Sequence, residues 1–183
     1  MKIVRGAEAL ECGAVQTLDP TPAATRAIQA IAELLARLRL DFMFVGEVAR
    51  AAWLGGAIER GSVDVVAVMQ PQQKNQIAMM ASHRGFLVNP QEVEQSEELD
   101  LIPLKFEDVR VHVLVATNAL YATMVAAAKE VGGIKVATRE DLALLFALGE
   151  DFDVVRHLAA SSGFDRERYN QKLISIGLRE LVV

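Results

Sequence analysis

The chain has 183 residues, 52% of them hydrophobic, and a formal net charge of −5. That length suits one domain, or a domain with a small helical appendage, and that much apolar content supplies a core and excludes a disordered chain. The acidic balance gives no general attraction to nucleic acid, and no local basic patch stands out, so nucleic acid is not an expected partner.

The chain starts Met1-Lys2-Ile3-Val4-Arg5 and turns at once to Gly6, Ala7 and Glu8, so no signal-peptide region develops. Apolar runs such as Leu142 to Leu148 are far too short for a bilayer, and no membrane association is expected. The single cysteine, Cys12, excludes an internal disulfide and a cysteine-built zinc site, and reads as a small hydrophobe. A reducing, cytoplasmic compartment fits these features.

Residues 1–20 are poorly patterned and read as an arm or loop docking on the body. Pro20-Thr21-Pro22 opens a helix from about Ala23 to Leu38, with Ile28, Ile31, Leu34, Leu35 and Leu38 on one stripe. A short strand, Phe42 to Val45, leads through Gly46 into a helix from about Glu47 to Leu54, closed by Gly55-Gly56. Val63 to Met69 is β-branched and apolar, as a central buried strand should be. A helix over Gln72 to His83 and a return strand at Phe86-Leu87-Val88 follow. The acidic run Glu92, Glu94, Glu97, Glu98 reads as a solvated loop.

Leu101 to Phe106 and Val109 to Val115 read as strands of a hairpin turning at Glu107-Asp108. Helices are expected over Asn118 to Val131, Arg139 to Leu148, Asp151 to Ala160 and Asp165 to Leu181, with Gly132-Gly133 as a turn. The expected fold is α/β (α+β): a mixed sheet flanked by helices at 21–116, with a helical part at 117–183 packed on it.

Gly46 carries chemical interest, because a glycine between a strand and a helix N-terminus lets a backbone approach a phosphate. Arg60-Gly61-Ser62-Val63-Asp64-Val65-Val66 then opens the next strand with a carboxylate. Residues i and i+2 on a strand share a face, about 6–7 Å apart, so Asp64 and Val66 point the same way. His83 and His157 have no Cys, Asp or Glu at zinc-ligand spacing and read as surface residues.

This layout resembles the nucleotidyltransferase superfamily, in particular the small bacterial branch of minimal nucleotidyltransferases and abortive-infection toxins. Supporting segments are Arg84-Gly85-Phe86 and Ile134-Lys135-Val136-Ala137-Thr138-Arg139-Glu140-Asp141-Leu142, so the likeness runs from about Phe42 to Leu178. Members carry a Gly-Gly or Gly-Ser pair, then Arg-x-Thr-x-Asp-x-Asp, then a third aspartate on a later strand. Here Gly46 matches the first glycine and Glu47 stands at the second. Arg60 and Ser62 match the basic and hydroxyl positions, and Asp64 the first aspartate. Val66 and His112 stand where the other two carboxylates would be. Phe146 takes the place of a lysine common in relatives, and Glu150 and Asp153 match an acidic pair.

The resemblance implies Mg2+ and a nucleoside triphosphate if the protein is active, with Gly46, Glu47, Arg60 and Ser62 on the nucleotide and Asp64 on the metal. One carboxylate in place of three implies instead a transferase-derived protein that has lost catalysis and binds a nucleotide or a protein partner, as in toxin–antitoxin-like modules. An active nucleotidyltransferase and an oligomeric scaffold are the alternatives. Two local readings stay open. Glu47, Asp64 and His112 could form a new metal site. Otherwise Glu47 caps its helix, His112 is satisfied within the sheet, and Asp64 orders a turn or pairs with Arg60.

Overall fold

The computed structural model describes residues 18–19, 21–58, 61–96 and 100–178. Strand β1 (Leu18–Asp19) is the only described part of the expected arm, and it pairs in parallel with β3 (Gly56–Ala57). Helix α1 (Pro22–Arg37) begins at Thr21, whose hydroxyl oxygen accepts from the Ala24 N–H, with Pro22 in the first turn where its missing donor costs nothing. It buries Ala24, Ala27, Ile28, Ile31, Leu34 and Leu35 along one stripe.

Next come β2 (Phe42–Val45), α2 (Gly46–Leu54), the short β3 and β4 (Ser62–Ala67). A 3-10 turn at Pro71–Gln73 leads into α3 (Lys74–Ser82), β5 (Phe86–Leu87) and α4 (Pro90–Gln95). The hairpin β6 (Leu101–Phe106) and β7 (Val109–Val115) follows, then α5 (Ala119–Ala127), β8 (Lys129–Val131), β9 (Ile134–Val136), α6 (Arg139–Leu148), α7 (Phe152–Ala160) and α8 (Arg166–Ser175).

Seven strands form one mixed sheet in the order β5-β6-β7-β4-β2-β9-β8. As the sequence predicts, β4 lies centrally, antiparallel to β2 and parallel to β7. The two faces of its middle differ. Val63, Val65, Val111, Val113 and Ile102 are fully buried on one face, where α1 crosses β4 and β7. Each such side chain contributes about 1.5–3 kcal/mol of burial. Ser62, Asp64, His112 and Leu114, on the alternate positions, are only half-buried. That open face, roofed in part by α6, positions the site.

Helix α6 is anchored from its first turn. The Thr138 hydroxyl accepts from the Asp141 N–H at 3.1 Å and donates to Asp141 Oδ2 at 2.7 Å, while Lys172 of α8 reaches Asp141 Oδ1 at 2.5 Å. Glu140 Oε1 accepts from the Asp165 N–H at the start of α8, at 2.9 Å. These contacts fix α6 against α8 and so fix the residues α6 holds over the sheet.

Three expectations are corrected. The helix over Asn118 to Val131 stops at Ala127, because Ala128 turns extended (ψ 150°) and the chain continues into β8. Gly132 and Gly133, both at positive φ, then turn the β8–β9 hairpin, and β9 pairs with β2 through Phe44 and Val136. The acidic run is not all loop: Pro90–Gln95 is helical, with the Asn89 side chain accepting from the Gln91 N–H, while Glu97 and Glu98 lie outside the described residues. The last helix ends at Ser175, where Gly177 at φ +85° lets the Leu178 N–H reach back to the Leu173 carbonyl. Among the described residues no helix is long and apolar enough to cross a membrane.

Candidate functional site

Alternation along β4 and β7, with the two strands in parallel register, sets Asp64 directly beside His112 and Val66 beside Leu114. The His112 Nδ1–H donates to Asp64 Oδ1 at 2.7 Å. A carboxylate can only accept here, so Nδ1 carries the proton, and Nε2 is left to accept when the ring is neutral. The Ser62 hydroxyl lies 3.4 Å from Asp64 Oδ2, a long contact. On the other side Asp64 is in register with Val45, the last residue of β2.

Gly46 explains how the carboxylate fits. The residue turns the chain from β2 into α2 at φ +57°, and a Cβ placed there would sit 2.7 Å from Asp64 Oδ2. Only glycine combines that backbone angle with that approach. The Asp64 carboxylate therefore stands against the first turn of α2, where unpaired N–H groups and the helix dipole favour negative charge.

Glu47 does not cap its helix. Its carboxylate accepts from Arg50 Nε at 3.0 Å and lies 2.9 Å from Arg50 Nη2, which also donates to the Ala57 carbonyl. Burial of Glu47 to 7% exposure is thus balanced by a neighbouring cation. Among the described residues no group of three His, Cys, Asp or Glu is placed to hold a metal ion.

A cavity of about 340 Å³ lies over this face. Its floor is Asp64, Val66, His112 and Leu114, with Val45, Gly46 and Leu101 at the sides, Tyr121 from α5, and Leu145 and Phe146 from α6 above. A second pocket of about 380 Å³ shares Gly46, Asp64, His112, Leu145 and Phe146 and adds Glu47, Ser62, Gly149 and Asp151. The Asp64–His112 pair lies between the two.

The structure thus brings together Gly46, Glu47, Ser62, Asp64, Val66, His112 and Phe146, while Arg60 lies outside the described residues. Asp64 pairs with His112 through the ring's Nδ1. Glu150 and Asp153 line neither pocket, and Asp153 instead pairs with Arg156 on the surface. Leu101, Leu114, Tyr121 and Asp151 were not foreseen as lining residues. Leu114 follows His112 by two and shares its face, so alternation alone points to it; Tyr121 and Asp151 carry no comparable signal.

The fold is that of the nucleotidyltransferases. Two solved structures of the aminoglycoside nucleotidyltransferase ANT(2'')-Ia are similar to it. One is a solution structure of this antibiotic-resistance factor, with a TM-score of 0.54 at 12% identity over 85% of this chain and 94% of that one. The other is its crystal structure in complex with adenylyl-2''-tobramycin, with a TM-score of 0.53 at 14% identity over 85% of this chain and 96% of that one. A nucleotidyltransferase-like antigenic protein from Paracoccidioides brasiliensis gives 0.44 at 12% identity, over 85% and 87% of the two chains. No protein-family profile and no curated protein sequence matches the chain.

Proposed function

We propose that this chain is a nucleotidyltransferase-fold protein that binds a ligand or partner without transferring a nucleotide. The observation that carries the reading is the donor set on the open sheet face: among the described residues of β4 and β7 there, the one carboxylate is Asp64, held 2.7 Å from His112, with apolar Val66 and Leu114 beside it. Nucleotidyl transfer draws on carboxylates that hold divalent metal against a triphosphate, and magnesium takes oxygen ligands in octahedral geometry. Asp64 offers one lightly used oxygen, Val66 and Leu114 offer none, and in the adjoining pocket the Glu47 carboxylate is held by Arg50 while Asp151 accepts from the Val154 N–H. The residues present do not fit a magnesium triphosphate. Val66 and His112, at the positions where the resemblance puts two further carboxylates, agree with this.

The likeness to ANT(2'')-Ia keeps the active alternative in view, with a nucleoside monophosphate passing from a triphosphate to a small-molecule, RNA or protein acceptor. The same reading keeps the protein in a bacterial cytoplasm beside a partner protein, as in two-protein modules of the branch it resembles. Titration calorimetry with ATP, GTP, CTP and UTP in millimolar magnesium tests it. The expected result is no saturable, metal-dependent binding tighter than about 10 μM, roughly −7 kcal/mol. Tighter binding, or transfer of a labelled nucleoside monophosphate to any acceptor, restores the transferase.

A further inference from the structure

We propose that the pocket above β4 and β7 takes a compact, largely apolar molecule carrying one ammonium group. This rests on the reading that the site binds without transferring nucleotide, and it names the class of ligand. The chemistry of the lining decides the class. Val66, Leu114 and Leu145 give aliphatic walls, Tyr121 and Phe146 supply two rings, and Asp64 supplies the charge. Among the described lining residues none is Lys or Arg, and the His112 ring is turned to Asp64, so little there neutralises a polyphosphate, which Asp64 repels.

The carboxylate has room for a cation. Oδ1 is taken by His112, but Oδ2 has only the 3.4 Å contact from Ser62, so it keeps acceptor capacity. The Asp64 side chain is 23% exposed, which leaves it reachable from the pocket while its apolar neighbours limit screening by water. An ammonium donor on a carboxylate makes a charge-assisted bond stronger than a neutral one. Aromatic rings in the lining add attraction for the same cation. The volume of about 340 Å³ lies at the small end of the range for small-molecule sites, about 300–1,000 Å³. A polyhydroxylated, polycationic ligand suits neither this size nor these walls.

The test is an NMR titration of the full chain, read at the backbone amides of Val66, His112 and Phe146. The probes are phenethylamine, its neutral counterpart 2-phenylethanol, the anionic 3-phenylpropionate, tobramycin and Mg·ATP. The expected result is saturable shifts with phenethylamine and at least tenfold weaker binding of 2-phenylethanol. No saturable response to 3-phenylpropionate is expected. Asp64→Asn should weaken phenethylamine at least tenfold and leave 2-phenylethanol unchanged. Leu114→Trp fills the pocket from its floor and should abolish both.

The proposal is overturned if 2-phenylethanol or 3-phenylpropionate binds as tightly as phenethylamine. It is equally overturned if Leu114→Trp leaves amine binding intact, if tobramycin binds more tightly, or if phenethylamine shifts nothing. Saturable micromolar binding of Mg·ATP with nucleotide transfer defeats the preceding reading as well. Absence of both ATP and amine binding defeats only this proposal.

Discussion

Gly46→Ala is the sharpest perturbation of the site, and its cost divides into two separable parts. A side chain at φ +57° costs about 1–2 kcal/mol in backbone strain. The new Cβ, 2.7 Å from Asp64 Oδ2, also forces the carboxylate to move, and moving it weakens a charged hydrogen bond to His112 worth about 1.5–3 kcal/mol. Reduced freedom of the unfolded chain returns about 0.4–1 kcal/mol. The net loss is about 3 kcal/mol, or roughly 6–12 °C in melting temperature for a chain of this size. Urea denaturation of the parent, Gly46→Ala, Asp64→Ala and the double variant separates the parts. Once Asp64 is Ala, only the backbone strain remains, so Gly46→Ala should cost about 1 kcal/mol there, with a coupling near 2 kcal/mol. A Gly46→Ala variant within about 0.5 kcal/mol of the parent, or one that costs the same in both backgrounds, would refute the packing of Asp64 against α2.

Two further outcomes are expected away from the site. Lys172→Ala leaves the Asp141 carboxylate at 0% exposure with only Thr138 beside it, and should cost about 3 kcal/mol in equilibrium denaturation; a loss below about 1 kcal/mol would mean that α6 is not held by this pair. At Asp100, the Thr117 hydroxyl, followed by Lys74, holds the carboxyl below its ordinary range. A depressed carboxyl stabilises the fold above its unfolded pKa of about 3.9 and loses that stabilisation as pH falls through the lower folded value. The gap in urea midpoint between the parent and Thr117→Val should therefore hold steady above about pH 5 and narrow below about pH 4. A gap that widens on acidification would contradict the assignment.

Much of the site was legible because it depends on local order and a period of two. Phe42 to Val45, Gly46 and the β-branched run to Ala67 declare a strand, a turn and a strand, and alternation places Asp64 and Val66 on one face. Placing His112 beside Asp64 requires the parallel pairing of β4 with β7, which joins residues 48 positions apart and has no local signal. The β8–β9 hairpin was hidden because Val125-Ala126-Ala127-Ala128-Lys129-Glu130 has good helix propensity. What overrides that propensity is pairing of β9 with β2, a contact with no local trace. The partner of Glu47 was missed for another reason. Its position suggested a cap, but Arg50, one turn on, draws the carboxylate along the helix instead. The helix at Pro90 was the most recoverable omission, since Asn89-Pro90 is a start signal in itself.

The pairing of β2 with β9 also dictates an order of events in time. Asp64 and His112 are 48 positions apart, whereas Phe44 and Val136 are about 90 apart. Closing the longer loop costs little extra at equilibrium, about 0.6 kcal/mol per doubling of length. Its kinetic effect is larger, because contacts distant in sequence form late. Leu145 and Phe146 lie in α6, the helix after β9, so the roof of the pocket comes from the far side of that loop. Until the roof docks, the face bearing Val66 and Leu114 is open to water. A nascent chain passes through this stage before residue 146 emerges, and during it that apolar face is open to association with the wrong partner.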